Sequence, residues 1–319
     1  MNRNAEAITV FCSHLCVTDD IHPLEGREWS HLANQLVAQN LQPEFLLDFD
    51  RQDFIDQLGF PDSEADRCVR LQDRSGSLRF ELSKYEDAGI RVVTRADAEY
   101  PKLLKKKLGN SCPPLFYCAG DLHLLDREAV GYVGSRTVEP ADMAFTRKAV
   151  AKTTGRGYVV VSGGAKGIDG ISTGAALSEG SCAVEFLSDS MLRKLRDSDL
   201  VRAVRDGRML LMSAVIPTAG FNVGVAMMRN RYIYAQSSGT VVICSDLGKG
   251  GTWAGANENL KKGWCPTFCR DCNHPGNREL IRLGAIPVNE EWDGNVKLPV
   301  WSAASIQEVP KEEQMSLFN

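Results

Sequence analysis

The chain has 319 residues, of which 43% are hydrophobic and 24% are charged, a composition that suits one large globular domain with a smaller one beside it. The formal net charge of −4 excludes a uniformly basic surface, so a nucleic-acid binder would need a local basic site. No run of 18 apolar residues occurs and the N-terminus is too polar for a signal peptide, so we expect a cytoplasmic protein without a membrane partner.

The first predicted element is a small helical module in residues 1–86. Apolar side chains recur there at helical spacing, for example at Trp29, Leu32 and Leu36. Proline and glycine residues such as Pro43 interrupt the pattern. We therefore expect several short helices rather than one long helix.

Residues 87–290 alternate short apolar runs with amphipathic stretches, which predicts an α/β fold with a parallel sheet covered on both faces. Ligands of such sheets bind at the carboxyl ends of the strands. The predicted strands are residues 90–94, 129–133, 158–161, 183–187, 209–212, 240–244 and 266–269, and the predicted helices include residues 141–156, 168–179 and 231–237.

Three loops at predicted strand ends combine glycines with isolated polar or basic residues. Bare backbone N–H groups, a following helix N-terminus and a nearby cation together suit a phosphate group. The spacing matches neither a Walker loop nor a dinucleotide fingerprint, and the alternative is that the glycines only permit tight turns. The candidate ligands are Gly134, Ser135 and Arg136 in the first loop, Ser162, Gly163, Gly164, Lys166 and Gly167 in the second, and Gly250, Gly251 and Thr252 in the third.

A fourth candidate segment consists of Arg229, Asn230 and Arg231, just before the predicted helix at residues 231–237. Two arginines at a helix start could hold successive phosphates. The alternative is a solvated helix start that binds nothing.

These four segments together resemble the DprA/Smf family, the DNA-processing protein A family. The family's G-S-R turn, S-G-x-A-x-G-I-D loop, R-N-R segment and S-G-[ST]-x-x-T-A loop correspond in order to residues 134–136, 162–169, 229–231 and 250–255. Family-like segments upstream (YPKLL and PPLFYCAGD) and downstream (GN, LI and GA) extend the match to about residues 28–288.

The resemblance implies an extended Rossmann-like domain behind a SAM-like or helix-hairpin-helix module. It implies a homodimer that binds single-stranded DNA and passes it to a RecA-type recombinase. We expect no cofactor. By the same resemblance the DNA contacts are Ser135, Arg136, Gly163, Gly164, Lys166, Arg229, Asn230 and Arg231.

Departures from the family pattern indicate a divergent member. Residues 226–228 read Ala-Met-Met where the family has Phe-Pro, so we expect no aromatic side chain for base stacking there. Residues 191–208 replace a tyrosine–proline element, Ser213-Ala214 replaces Ser-Glu, and no counterpart of the winged-helix C-terminus of many members is found. The alternatives to a role in transformation are a phage-defence or a toxin–antitoxin locus, the latter with a cognate toxin as partner.

Two other kinds of site, a zinc site and a catalytic site, have weaker support in the sequence. Cys265, Cys269, Cys272 and His274 suggest zinc, but a strand at residues 266–269 would point alternate side chains to opposite faces, so no metal is expected. Ser162 has no histidine base, so no catalytic residue is assigned and the protein is predicted not to be an enzyme. The alternative is a nucleotide-binding sensor or a LOG-like nucleotide phosphoribohydrolase, in which Glu258 follows the third loop.

Residues 291–319 are predicted to be a polar tail. Its end resembles the Q-[LM]-[SD]-L-F peptide that docks on the replication sliding clamp, with apolar side chains for a pocket and a glutamine as polar anchor. The alternative is an apolar end that folds back onto the domain. The peptide consists of Gln314, Met315, Ser316, Leu317 and Phe318.

Overall fold

A computed structural model of the chain describes residues 1–18 and 20–298. Its N-terminal part is helical, with a 3-10 segment at Pro43–Leu47. The helices are α1 (Arg3–Cys12), α2 (Gly26–Ala38), α3 (Arg51–Leu58), α4 (Asp62–Asp73) and α5 (Ser75–Asp87).

Helix α1 joins this helical part to the sheet. The Asn2 side chain caps its first turn by accepting from Ala5 N at 2.8 Å. At its other end the buried guanidinium of Arg74 donates to the Val10, Ser13 and Leu15 carbonyls, and so satisfies acceptors at and just beyond the helix C-terminus.

Nine strands form one mixed sheet in the order β1-β2-β6-β5-β4-β3-β7-β8-β9. The strands from β3 to β9 pair in parallel, whereas β2 pairs antiparallel with β1 and β6. The strands are β1 (Arg91–Thr94), β2 (Leu115–Gly120), β3 (Ala129–Val133), β4 (Val159–Ser162), β5 (Ala183–Leu187), β6 (Met209–Ser213), β7 (Gly239–Val242), β8 (Thr267–Arg270) and β9 (Ile286–Val288).

The structure confirms the α/β class and a predominantly parallel sheet, and it adds the antiparallel pairing of β2 with β1 and β6. Two strands are not predicted from the sequence: β2, which directly follows Pro113 and Pro114, and β9, which has three residues with Pro287 at its centre. Proline lowers strand propensity, and a three-residue strand is too short to show a period.

Helices cover both faces of the sheet and enclose two apolar layers. Val160 belongs to one layer while its neighbours Val159 and Val161 belong to the other, as expected for a strand buried on both faces. These helices are α6 (Lys102–Leu108), α7 (Pro140–Gly155), α8 (Ile168–Ser178), α9 (Met191–Lys194), α10 (Ser198–Arg205), α11 (Val223–Gln236), α12 (Gly250–Lys262) and α13 (Pro275–Arg282).

The direction of the chain reverses at β3. From β3 it moves outward through β4, β5 and β6, and it then returns to place β7 on the other side of β3. The loops after β3 and β7 therefore diverge and open a crevice at the carboxyl ends of the strands, which is where open α/β sheets bind ligands.

Residues 291–298, which the sequence assigns to the tail, pack on the domain. The Trp292 ring lies 5.7 Å from the Phe268 ring, Val296 is buried, and Lys297 Nζ is 2.8 Å from Glu128 Oε1. The predicted clamp-binding peptide, residues 314–318, lies outside the described residues. Across the described ranges, no helix combines the length and apolarity needed to cross a membrane.

Candidate functional site

Two adjoining cavities occupy the crevice at the carboxyl ends of the strands. The first, of about 410 Å³, lies between the loops after β3, β4 and β7 and the first turns of α11. The second, of about 480 Å³, continues toward the end of β5. Arg136, Ala165, Lys166 and Phe221 line both, so the two cavities form one groove, which we call the loop groove.

The loop after β3 brings Arg136 to the groove. A Cβ on Gly134 would lie 2.4 Å from Ile168 Cγ1, so only glycine lets this loop pack on α8. Ser135 N donates to the Cys244 carbonyl at 3.1 Å, which ties the loop to the segment after β7. The Arg136 guanidinium stands 5.0 Å from the centre of the Phe221 ring and remains exposed.

The loop after β4 packs against the first loop through Gly167. Gly167 has a φ of +80°, and a Cβ there would lie 2.3 Å from the Ser135 carbonyl oxygen. Lys166, one residue earlier, is exposed in the groove. Ser162 differs from its prediction: it is fully buried and donates to the Tyr132 carbonyl, so it supports the strand and does not reach the groove.

The R-N-R segment lies within α11, because that helix begins eight residues earlier than predicted. Arg229 is 5% exposed, and its NH1 lies 3.5 Å from Asp169 Oδ2. A Cβ on Gly163 would lie 1.2 Å from that NH1, so the guanidinium fills the space directly beneath Gly163. The geometry makes Arg229 a support for the glycine loop, with its Nε unpartnered among the described groups.

Asn230 and Arg231 connect α11 to α12. Asn230 Nδ2 donates to the Gly251 carbonyl at 3.1 Å and so holds the start of α12. Arg231 pairs with Glu258 at 2.9 Å and does not line the loop groove. The helix start expected at residue 231 is thus corrected, because the segment lies inside α11. Its role in phosphate binding stays a prediction: Arg229 and Asn230 line the first cavity of the groove, and Arg231 does not.

Lys249 and Phe221 are among the groove residues that the sequence does not predict. Lys249 precedes α12 and is exposed in the first cavity. Phe221 is 50% exposed and lines both cavities, which supplies the aromatic ring that the sequence predicts to be absent. The Asn222 side chain accepts from Val225 N at 3.1 Å, and recognising this N-cap in the sequence would have placed Phe221 at the start of α11.

The local charge of the groove is positive although the chain is acidic overall. Arg136, Lys166 and Lys249 form no ion pair with any residue in 1–18 or 20–298. Helices α8 and α12 also begin at the groove and add the positive ends of their dipoles. Four carboxylates line it: Asp169 is paired with Arg229, Asp189 with Arg193, Asp197 caps the first turn of α10, and Asp246 is exposed. The groove is suited to an anion.

The cysteine-rich segment does not form the zinc site considered for it. Cys265 contacts Thr240 and Asn259, Cys269 lies near the Asn277 carbonyl, and His274 turns toward Asp142 instead. Cys272 accepts from Asn277 Nδ2 at 3.3 Å, but Cys265 and His274 point to other neighbours, so the four candidates do not converge on one metal position.

A second group of possible metal ligands, Asp142, Cys244 and His274, has ligand atoms within 4.8 Å of one another. Arg270 already donates to the Asp142 carboxylate at 2.5 Å. Burial raises the pKa of the Cys244 thiol to about 12, which keeps it protonated. The Asp142 carboxylate is thus already engaged by Arg270 and His274, and the cluster is best described as a polar network around that carboxylate.

The fold and the groove define an α/β protein with a Rossmann-like sheet and a cation-lined groove at the carboxyl ends of its strands. The chain belongs to the DNA recombination-mediator protein A family, whose model matches residues 91–296. It is 26% identical over 239 residues to the DNA processing protein DprA of Bacillus subtilis (strain 168), covering 72% of this chain and 75% of that one. The predicted resemblance is thereby confirmed, and so is the prediction of a non-enzyme, because the family is one of recombination mediators.

Two solved structures share the fold. DNA processing protein A from Streptococcus pneumoniae superposes with a TM-score of 0.63 at 21% identity, over 83% of this chain and 95% of that one. DNA processing protein A from Helicobacter pylori, described by its single-stranded DNA binding mode, gives a TM-score of 0.52 at 24% identity, over 62% and 90%. Both likenesses support the assigned fold.

Proposed function

We propose that the protein binds single-stranded DNA in the loop groove without reading its sequence. The observation that carries this proposal is a set of three cations, Arg136, Lys166 and Lys249, that have no carboxylate partner among the described residues and lie beside an exposed aromatic ring at the carboxyl edge of the sheet. Family membership supports it, and so does the relative from Helicobacter pylori, which binds single-stranded DNA.

The groove offers different chemistry to phosphates and to bases. Cations and backbone N–H groups attract phosphate oxygens and carry no sequence information. Phe221, Val223 and Met227 form an exposed apolar edge along the first cavity. Bases of a single strand can stack on the Phe221 ring, whereas the bases of a duplex are already stacked on each other.

Fluorescence anisotropy with labelled oligo-dT tests the proposal. We expect tighter binding to oligo-dT than to a duplex of equal length, with affinity that falls steeply as salt rises. Phe221→Ala should weaken binding about fivefold or more, because base–aromatic stacking contributes about 1–3 kcal/mol per base. Phe80→Ala is the matched control, since Phe80 is 64% exposed but lies on α5. Equal binding of both DNA forms would contradict the proposal.

The nucleotide-sensor and phosphoribohydrolase alternatives predict a different ligand for the same groove. Glu258, the candidate catalytic carboxylate, pairs with Arg231 and lies outside both cavities that form the groove, which weighs against hydrolysis. Competition of labelled oligo-dT by a mononucleotide at similar concentrations would favour a sensor. Release of free base from the nucleotide would establish an enzyme.

Finer roles are proposals of their own. The name of the family supports transfer of the bound strand to a RecA-type recombinase. Homodimer formation stays a prediction, as does a phage-defence or toxin–antitoxin role with a toxin partner. Clamp binding by residues 314–318 also stays a prediction, and a pull-down of purified clamp by the wild type and by a variant lacking residues 314–319 tests it.

A further inference from the structure

A carboxylate is buried directly beneath the glycine loop. Glu185 lies in the middle of β5, an internal strand, and is 1% exposed. A Cβ on Gly164 would lie 2.6 Å from Glu185 Oε2, so the carboxylate touches the underside of the loop. A buried charge in this position is costly unless a partner neutralises it, and an anion here also opposes phosphate binding.

Lys194 of α9 is the partner of this carboxylate. Its Nζ lies 2.9 Å from Glu185 Oε2, in the geometry of an ion pair rather than of a directed hydrogen bond. The same ammonium donates to the Gly164 carbonyl at 3.0 Å. Lys194 thus contacts the carboxylate and the loop above it at once.

Lys194 also borders the loop groove, where its side chain is 28% exposed. It therefore differs from Arg136 and Lys166, which line the same cavity, are exposed and have no carboxylate partner among the described residues. The Lys194 ammonium already forms an ion pair with Glu185 and a hydrogen bond with the Gly164 carbonyl. A direct role for Lys194 as a phosphate ligand would leave Glu185 unpaired beneath the bound anion.

We propose that Lys194 is a positioning residue that neutralises Glu185 and fixes Gly164, so that the loop presents its backbone and Lys166 to a phosphate without a repelling charge below. The inference rests on the proposed function, in that the phosphate belongs to single-stranded DNA. The charge that neutralises Glu185 thus comes from Lys194 on α9, and not from the glycine loop or the R-N-R segment.

The test compares Lys194→Met, Glu185→Gln and the double variant in two measurements. The first is oligo-dT affinity as a function of salt, and the second is amide hydrogen exchange of residues 163–167. Lys148→Met is the control. Lys148 lies on α7, away from the groove, and pairs with the exposed carboxylate of Glu290. A general effect of removing one lysine would then appear in both Lys→Met variants.

We expect Lys194→Met to weaken oligo-dT binding about tenfold and to speed exchange in residues 163–167, because it leaves a buried charge unpaired under the loop. Adding Glu185→Gln should return both measurements close to wild type with an unchanged salt slope, and the single Glu185→Gln variant should bind normally. If Lys194→Met does not fold, recovery of a folded double variant with wild-type affinity is the same rescue.

A double variant that binds as weakly as Lys194→Met, with a salt slope lower by about 0.7, would make Lys194 a direct phosphate ligand and overturn the proposal. Unchanged loop exchange in a folded Lys194→Met protein would also overturn it. Failure of the wild type to bind oligo-dT would refute the proposed function instead, and hydrogen exchange would still decide whether the ion pair positions the loop.

Discussion

The loops at the sheet edge and the middle of α11 both bring basic residues to one place, but they use them differently. In the loops, Arg136 and Lys166 are exposed and without carboxylate partners across the described residues. In α11, Arg229 is buried against Asp169 and Arg231 is paired with Glu258. The loop cations can neutralise the charge of a ligand, whereas the arginines of α11 neutralise carboxylates of the protein itself. A basic motif in a sequence therefore does not by itself identify ligand contacts.

Among the substitutions that test this comparison, Arg229→Ala should cause the largest loss of stability. Removing one partner of a buried ion pair leaves Asp169 uncompensated and should lower the free energy of unfolding by about 3 kcal/mol. Urea denaturation measures the change, with the exposed Arg278→Ala variant as control. Loss of oligo-dT binding at unchanged stability would instead place Arg229 among the phosphate ligands and remove the distinction between the two sets.

The second prediction concerns Gly167, where the two loops touch. Gly167→Ala places a Cβ 2.3 Å from the Ser135 carbonyl oxygen at a φ of +80°, so both loops must shift. We expect a loss of about 2 kcal/mol in stability together with weakened oligo-dT binding. Gly174→Ala is the matched control, since it lies on an exposed face of α8 with no atom within 4 Å and should stabilise by about 0.5–1 kcal/mol. Equal outcomes for the two glycines would contradict the close loop contact.

The third prediction addresses the loop cations themselves. Arg136→Ala, Lys166→Ala and Lys249→Ala should each weaken oligo-dT binding about three- to tenfold at low salt and reduce the salt slope by about 0.7. Their stability should change by less than about 0.5 kcal/mol, because exposed side chains without partners contribute little to folding. Thermal denaturation provides that check. Wild-type affinity in all three variants would mean that the strand binds elsewhere.

How far the sequence predicts this site depends on whether a residue acts through its backbone or through its partners. Glycine loops after apolar runs are local signals, so the positions of Gly134 and Gly167 follow from the sequence. The partners of Arg229 and Lys194 lie 60 and nine residues away, and only the folded sheet brings them together. Phe221 is missed for a local reason, because the start of α11 is placed eight residues too late.

The smallest effect should be that of Arg231→Ala, and it separates the two sets most sharply. The family resemblance assigns Arg231 to DNA, but the structure pairs it with Glu258 and directs it away from the loop groove. An ion pair with both side chains partly exposed contributes about 0.2–1 kcal/mol, so stability should fall only slightly. The affinity for oligo-dT and its salt slope should stay at wild-type values, since no phosphate contact is removed. A slope reduced by about 0.7 would show that Arg231 leaves Glu258 when DNA binds, and α11 would then have to be counted among the DNA-contacting elements.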